Sequence, residues 1–341
     1  MPSMKDVARL AGVSLGTVSN VLNRPELVSP ERRALVERAI DELGFVRNEP
    51  ARLLRAGLSR TIAVVVLEVA NPFFGDIIAG AESLAEERDA QIIVCNSGGD
   101  PAREARHLDR LAEQQVLGIL LSPVQEALSA QLLARRRRHP PVVFVDRVPS
   151  TPGLASVAVD NIRGGELVGE LLSDSGHEHV AFAGGPMTLR QVVDRLHGLR
   201  STFRRGRIDV VETTGLTIEA GHAVLDQLLA RPGPERPTAV FCANDLLAIG
   251  VLNACMRRGV AVPGELSVVG YDDIAFAATA SVPLTTVAQP GRLLGREAVS
   301  LLLDGPADGA PPNLVHTPEL VLRDSTRSVP GRRPSADPSA S

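Results

Sequence analysis

The 341-residue chain predicts an all-α head followed by an α/β body of two parallel, doubly wound sheets. Three observations lead there. The first 45 residues hold three short segments of helical periodicity, each with its own start and stop signals. Beyond residue 60, short Val/Ile-rich runs alternate with amphipathic stretches, and the alternation continues through enough units for two lobes.

Ser3 stands at a helix N-cap, and Asp6 completes the capping-box spacing three residues later, so the first helix starts there. Gly12 ends it, Val13 points inward, and Ser14 caps a second helix from Leu15 to about Asn23. Val7, Ala8, Leu10, Val13, Val18, Val21 and Leu22 form the apolar wedge that sets two helices at a steep angle around a tight glycine turn, a helix-turn-helix. Leu15, Gly16, Thr17 and Asn20 are left facing outward. A third helix has Ser29 as N-cap and Pro30 at its first position, where a missing N–H costs nothing. Leu35, Val36, Ile40 and Leu43 repeat at helical spacing, and Gly44 stops it.

In the body, TIAVVVL, QIIVC, VLGILL and VVFV are strand-length runs separated by helical stretches around 77–89, 102–115 and 125–138. HVAFA, IDVV, TAVFC and LSVVGY make a second set. Near-continuous apolar runs belong to parallel strands covered on both faces. Open parallel sheets bind ligands beyond the C-terminal ends of their strands. That singles out Asn71-Pro72-Phe73-Phe74 after the first strand, Asp146 after VVFV, Asn244 after VFCA and Asp272 after VVGY.

A hydrophobic content of 44% and a charged content of 22% are ordinary for a globular protein. There is no 18-residue apolar run and no basic-then-apolar leader, so a cytoplasmic protein without a membrane partner is expected. Cys95, Cys242 and Cys255 are odd in number and embedded in apolar runs, and read as buried reduced thiols rather than bridges or metal ligands. The net charge of −4 divides unevenly: residues 1–60 carry ten basic against seven acidic residues, and the remainder 26 against 33. A positive head on a negative body draws phosphate to one end, although random scatter also produces so small an imbalance.

The order of DVARLAGVS, TVSNVLN, VSPE and ELGF, followed by NEPARLLRAG, resembles the lactose-repressor (LacI) family of bacterial transcription regulators. The likeness continues through TIAVVVLEVANPFFGDII, Asp160-Asn161, GHEHVAFAGGP, DRLHGLR, CANDLLAIG, LSVVGYDD and PLTTVAQP, and so covers about 4–323. It implies a two-lobed, periplasmic-binding-protein-like body whose chain crosses between lobes. The implied division is a helix-turn-helix domain at 1–47, a hinge helix or linker at 48–60, an effector-binding and dimerising first lobe at 61–160 plus 290–323, a second lobe at 161–289 and a tail at 324–341. The tail, rich in Pro, Ser and Arg and without Leu from 325 on, reads as disordered and offers no heptads for tetramers.

The implied function is transcriptional regulation, as a repressor, by a homodimer on pseudopalindromic double-stranded operator DNA, each head reading one half-site. A small polar effector held between the lobes, a sugar or sugar derivative, sets operator affinity.

On such a head the outward face of the second helix enters the major groove, which assigns Ser14, Leu15, Gly16, Thr17, Asn20 and Asn23 to DNA. Asn20 stands where the family often has Arg, and Asn pairs best with the N6 and N7 edge of adenine. Asn20 is therefore expected to read an A·T pair and Leu15 to touch a thymine methyl, the alternative being that Asn20 meets only phosphate. The stretch at 48–57 is too short to be a stable helix alone. The resemblance makes it a hinge helix whose Leu54 wedges into a base step, with Arg55 beside it in the minor groove; Pro50 departs from the pattern and leaves a plain linker open.

The implied effector contacts are Phe73, Phe74, Ser122, Asp146, Arg195, Asn244, Asp272 and Gln289. Carboxylates accept from adjacent hydroxyls, Arg supplies forked donors, and an aromatic ring covers an apolar sugar face. Asp or Asn after a strand also serves as a helix cap, and Phe as core. No Trp, a single Tyr271, Leu216 in place of an aromatic ring and Glu68 in place of Asp depart from the family pattern. They keep a nucleoside- or purine-like effector stacked on Phe73 or Phe74 as the alternative.

Motifs argue against an enzyme. Residues 12–16 match G-x-S-x-G, but that elbow needs a preceding strand and has a helix. There is no G-x-G-x-x-G, and Lys5 is the only lysine, which excludes a P-loop. His177 and His179 lack H-E-x-x-H spacing and read as turn residues; Arg135 to Arg138 read as a solvated helix end. No cofactor and no metal is expected. The competing class is a solute-binding protein of an importer, marked by an export leader.

Overall fold

The structure, a computed structural model, describes residues 2–45, 59–134, 140–150, 152–204, 206–305 and 312–327. It divides into two units, Met1–Leu58 and Ser59–Ser341.

In the first unit α1 (Met4–Ala11), α2 (Leu15–Asn23) and α3 (Pro30–Leu43) pack around Val7, Val18 and Val36, all fully buried. The Asp6 carboxylate closes the start of α1 by accepting from the Ser3 N–H at 2.9 Å and the Ser3 hydroxyl at 2.7 Å. Ser14 Oγ accepts from the Thr17 N–H at 3.0 Å and starts α2. Gly12 (φ 66°) and Gly44 (φ 58°) end α1 and α3 in the left-handed region, where a Cβ is penalised. Ser29 holds the N-cap backbone of α3, but its hydroxyl makes no capping bond. One expected wedge residue and one of the third helix's apolar repeat are corrected: Leu10 is 45% and Leu35 41% exposed, while Ala11 and Ala39 are buried. At close-packed density the space between these helices takes a methyl group there.

The second unit begins with β1 (Thr61–Val66), α4 (Pro72–Glu87), β2 (Gln91–Asn96), α5 (Pro101–Glu113), β3 (Gly118–Leu121), α6 (Glu126–Ala134), β4 (Val142–Val145) and β5 (Ala155–Val159). There follow α7 (Asn161–Asp174), β6 (His179–Gly184), α8 (Arg190–Thr202), β7 (Arg207–Glu212), α9 (Ile218–Leu229), β8 (Ala239–Cys242), α10 (Asp245–Arg258) and β9 (Ser267–Val269). The chain closes with β10 (Thr286–Ala288), α11 (Gly291–Asp304), β11 (Asn313–His316) and β12 (Glu319–Val321). Two parallel sheets result, in the orders β11-β5-β4-β3-β1-β2 and β7-β6-β8-β9. Every residue of β3, β4 and β8 is buried, which is why these stretches read as unbroken apolar runs. Helices α4 and α5 begin earlier than the apolar periodicity indicates, because Asn71 and Asp100 cap them by accepting from the N–H groups of Phe73 and Ala102.

The chain changes sheets repeatedly. After β5 it enters the second sheet through α7, and after β9 it returns through α11 to β11, which pairs with β5. It then crosses again to β12, which runs antiparallel to β10. Where α11 lies on α4, a Cβ at Gly295 would stand 1.9 Å from the Ile77 carbonyl, so the two backbones touch.

Two expected boundaries are corrected. Of the 290–323 segment assigned to the first lobe, only the part through β11 extends the first sheet; Arg323 pairs with Asp273 at 2.7 Å, in the loop after β9. The tail does not begin at 324. Ser325 is fully buried, accepts from the Thr285 N–H at 2.8 Å and donates to the Val268 carbonyl at 2.6 Å. The Val268 N–H in turn bonds the Ser325 carbonyl, so 324–327 satisfy backbone groups at the edge of β9. Residues 328–341 and 135–139 lie outside the described residues.

Among the described residues no helix is long and apolar enough to cross a membrane, and no cluster of His, Cys, Asp and Glu is placed to hold a metal ion. Cys242 and Cys255 are buried free thiols, whereas Cys95, on edge strand β2, is only partly buried.

Candidate functional site

Strand ends from both sheets converge on a cavity of about 240 Å³. Phe73 and Phe74 reach it from the first turn of α4, Asp146 from the end of β4, Arg195 from α8, Asn244 from the end of β8 and Asp272 from the end of β9. This is the C-terminal rim where open α/β sheets place ligands.

Asp272 is held through both carboxylate oxygens. Its Oδ2 accepts from Asn71 Nδ2 at 3.2 Å and its Oδ1 from Gln289 Nε2 at 2.7 Å, with Arg195 Nη1 3.8 Å away. Arg195 is buried, donates from Nε to Asn161 Oδ1 at 2.8 Å and from Nη1 to the Ala243 carbonyl, and lies 3.6 Å over the Tyr271 ring. Asp146 Oδ2 accepts from Gln191 Nε2 at 2.9 Å, while its Oδ1 is buried without a partner. Two of these bonds, Asn71 to Asp272 and Gln191 to Asp146, run from one lobe to the other. Asp146 (φ 65°) and Asp272 (φ 113°) hold backbone conformations uncommon outside glycine, a form of strain that concentrates at ligand sites.

Burial pushes the Asp146 carboxyl up to about 7 and Asp272 up to about 6, with the Arg195 charge opposing both shifts. Asp245 behind them is raised by burial and by the charge of Asp272; the Thr286 hydroxyl and the Ile274 N–H donate to it at 2.6 and 2.9 Å. The cavity therefore presents buried acceptors suited to hydroxyl donors.

Six of the eight expected effector residues line this cavity; Ser122 and Gln289 do not. Ser122 Oγ is buried without a partner, and Gln289 acts on the cavity only through Asp272. Phe73 and Phe74, with ring centroids 5.4 Å apart, are both core and cavity wall. Asn244 lines the cavity but also caps α10, accepting from the Leu247 N–H at 3.0 Å and donating to the Leu216 carbonyl at 3.2 Å. Sequence reasoning missed Gln191, the Asn71 amide and Asn161 as partners of Asp146, Asp272 and Arg195. These contacts span 45, 201 and 34 residues and leave no local pattern. His177, expected in a turn, is buried with Nδ1 2.7 Å from Thr238 Oγ1, and burial lowers it to about 4.

In the first unit Thr17 and Asn20 of α2 and Ser29, Glu31 and Arg32 at the start of α3 border a second concavity. Leu15, Gly16 and Asn20 are exposed, as a reading face requires. Thr17 Oγ1 lies 2.9 Å from Ser14 Oγ, and Asn23 Nδ2 donates back to the Ser19 carbonyl at 2.8 Å, along its own helix. Leu54 and Arg55 lie outside the described residues.

A helix-turn-helix unit and a two-lobed unit with a polar cavity between its lobes define a class, the ligand-responsive DNA-binding regulators. Residues 3–48 match the bacterial regulatory proteins of the lacI family, and residues 169–326 match the periplasmic binding protein-like domain. The chain is similar to the ribose operon repressor of Escherichia coli strain K12, with 35% identity over 307 residues, 89% of this chain and 92% of that protein. It is similar to the solved transcriptional regulator CelR–cellobiose complex (34% identity, TM-score 0.70, 95% of this chain and 100% of that one). It also resembles the lac repressor dimer bound to operator and the anti-inducer ONPF (29% identity, TM-score 0.81, 96% and 99%). The chain belongs to the lacI family of bacterial regulatory proteins and is a DNA-binding transcriptional regulator.

Proposed function

We propose that this regulator acts in the cytoplasm as a homodimeric repressor on pseudopalindromic operator DNA, and that a sugar or sugar derivative in the cavity resets its operator affinity. The observation that carries the sugar is the pair of buried carboxylates around Arg195, beside the Phe73–Phe74 wall. Adjacent sugar hydroxyls donate to Asp146 and Asp272 and accept from Arg195, while a ring packs its apolar face on an aromatic side chain. Support comes from relatives: a ribose operon repressor, a regulator complexed with cellobiose, and a repressor dimer on operator. The role is binding without turnover.

In this reading Leu15, Gly16, Thr17 and Asn20 present the reading face, Asn20 pairing with adenine and Leu15 with a thymine methyl. Sugar enters between groups that otherwise bond one another across the cleft, Asn71 with Asp272 and Gln191 with Asp146. Only the difference in its affinity for two arrangements of the lobes alters DNA binding. Site selection from random DNA with the full chain is expected to return two symmetric half-sites, and one sugar of a panel to shift their affinity at least fivefold. Recovery of no shared sequence, or no shift with any sugar, overturns the proposal.

A further inference from the structure

We infer that the effector is an uncharged, single-ring sugar and that the cavity rejects phosphate esters. This rests on the sugar reading above and names the subclass.

Charge comes first. Among the described lining residues Glu68, Asp146 and Asp272 are carboxylates, and Arg195 is the one guanidinium. Arg195 gives Nε to Asn161 and Nη1 to the Ala243 carbonyl and lies over the Tyr271 ring, and Asp272, its nearest carboxylate, already balances its charge. Two nearby cations are paired, Arg147 with Glu126 at 3.4 Å and Arg323 with Asp273 at 2.7 Å, while the Arg103 guanidinium stands beside Gly98. A phosphate dianion entering here meets an excess of negative charge in a poorly solvated space, where repulsion is screened least.

Most of the usual backbone cradles for phosphate are also filled. Helix N-termini bind anions through free N–H groups. Here α4 starts with Pro72, which has none, and the Phe73 N–H goes to Asn71 Oδ1. At α10 the Leu247 N–H goes to Asn244 Oδ1. The start of α8 is the exception: no side chain caps it, and Gln191 in its first turn gives only its side-chain amide, to the Asp146 carboxylate. The Gly98 N–H, in the left-handed loop that also lines the cavity, is taken by Asn96 Oδ1 at 3.3 Å.

What Asp146 lacks is a second donor. Asp146 Oδ1 has no hydrogen-bond partner, and Asp146 is 3% exposed. A buried acceptor of this kind is satisfied by a hydroxyl, which donates, and not by a phosphate dianion, which only accepts. Size completes the class. A cavity of about 240 Å³ falls just below the roughly 300–1,000 Å³ of pockets for drug-sized ligands and suits one sugar ring with its hydroxyls. A second ring doubles the requirement.

Isothermal titration of the full-length protein at pH 8 with D-ribose, D-xylose, D-glucose, D-galactose and D-fructose, the phosphate monoester of each, cellobiose and adenosine tests this. At least one free monosaccharide is expected to bind, its phosphate ester at least a hundredfold more weakly, and the gap is expected to shrink in Asp272→Asn and Asp146→Asn. A phosphate ester that matches or exceeds its parent sugar, or binding of cellobiose alone, overturns the inference while leaving the sugar reading standing. Binding of adenosine with no sugar, or of no compound at all, overturns the sugar reading itself.

Discussion

Replacing Asp146 with Asn is expected to stabilise the ligand-free protein at pH 8 and to change little near pH 4. Asp146 is 3% exposed, accepts one hydrogen bond, from Gln191, and keeps a bare Oδ1. Burial carries its pKa from 3.8 to about 7 in the fold. A carboxyl with a folded value above its unfolded one is bound to its proton more tightly in the native state. Its contribution to stability is whole below about pH 4 and is lost as pH rises through 7. A shift of about three pH units at 1.36 kcal/mol each amounts to about 4 kcal/mol at most. Asp272, raised to about 6 nearby, titrates with it as a pair, so one substitution recovers part of that total. Asn keeps the shape and cannot ionise.

The assay is clean because the chain has one Tyr and no Trp, and Tyr271 lies fully buried beneath Arg195. Its fluorescence follows unfolding of the body alone. In urea titrations the advantage of Asp146→Asn over the natural protein should grow from about 1–2 kcal/mol at pH 5 to about 3–4 kcal/mol at pH 8. The same variant should bind its sugar at least tenfold more weakly, having lost a charged acceptor. An advantage that does not vary with pH, or a variant less stable than the natural protein at pH 8, refutes the reasoning.

Three further outcomes are expected. Gly16→Ala should stabilise the head by roughly 1 kcal/mol, since Ala is favoured in a helix and its Cβ would meet only Ser14 Oγ at 3.6 Å; a lower head melting temperature by circular dichroism of the full chain speaks against it. Ser325→Ala should weaken the body by about 1–3 kcal/mol, because the Thr285 N–H and Val268 carbonyl lose a buried partner; unchanged urea unfolding of Tyr271 contradicts the anchoring role. Asn20→Arg should move one half-site position from A·T to G·C in site selection, and an unaltered preference at every position shows that Asn20 reads no base.

The head was legible because its signals are local. Ser3 with Asp6, Ser14, Pro30, Gly12 and Gly44 each act on backbone groups within four residues, and the structure uses every one of them. Ser29 shows the limit, since its residue type fits a cap whose hydrogen bond is not made. Leu10 and Leu35 show another: periodicity gives a wide apolar stripe, and only the approach of the neighbouring helix decides which side chain fits beneath it. The strands were legible because burial on both faces removes polar residues from them. The cavity was legible only in part: Asp146 and Asp272 were reached from the ends of strands and Arg195 through family resemblance, whereas their partners Gln191, Asn71 and Asn161 are brought in from distant segments. The segment at 324–327 was missed because its bonds, through the Ser325 hydroxyl and through backbone groups, reach residues 40 and 57 positions away, which composition does not record.

The most direct test is a linkage measurement on the full-length protein: DNA affinity by fluorescence anisotropy on a selected site, with and without the bound sugar, alongside sugar affinity with and without that DNA. If the cavity controls the head, both affinities change by the same factor, at least fivefold, as thermodynamic reciprocity demands. Sugar that binds the body while the DNA titrations superimpose would contradict the account.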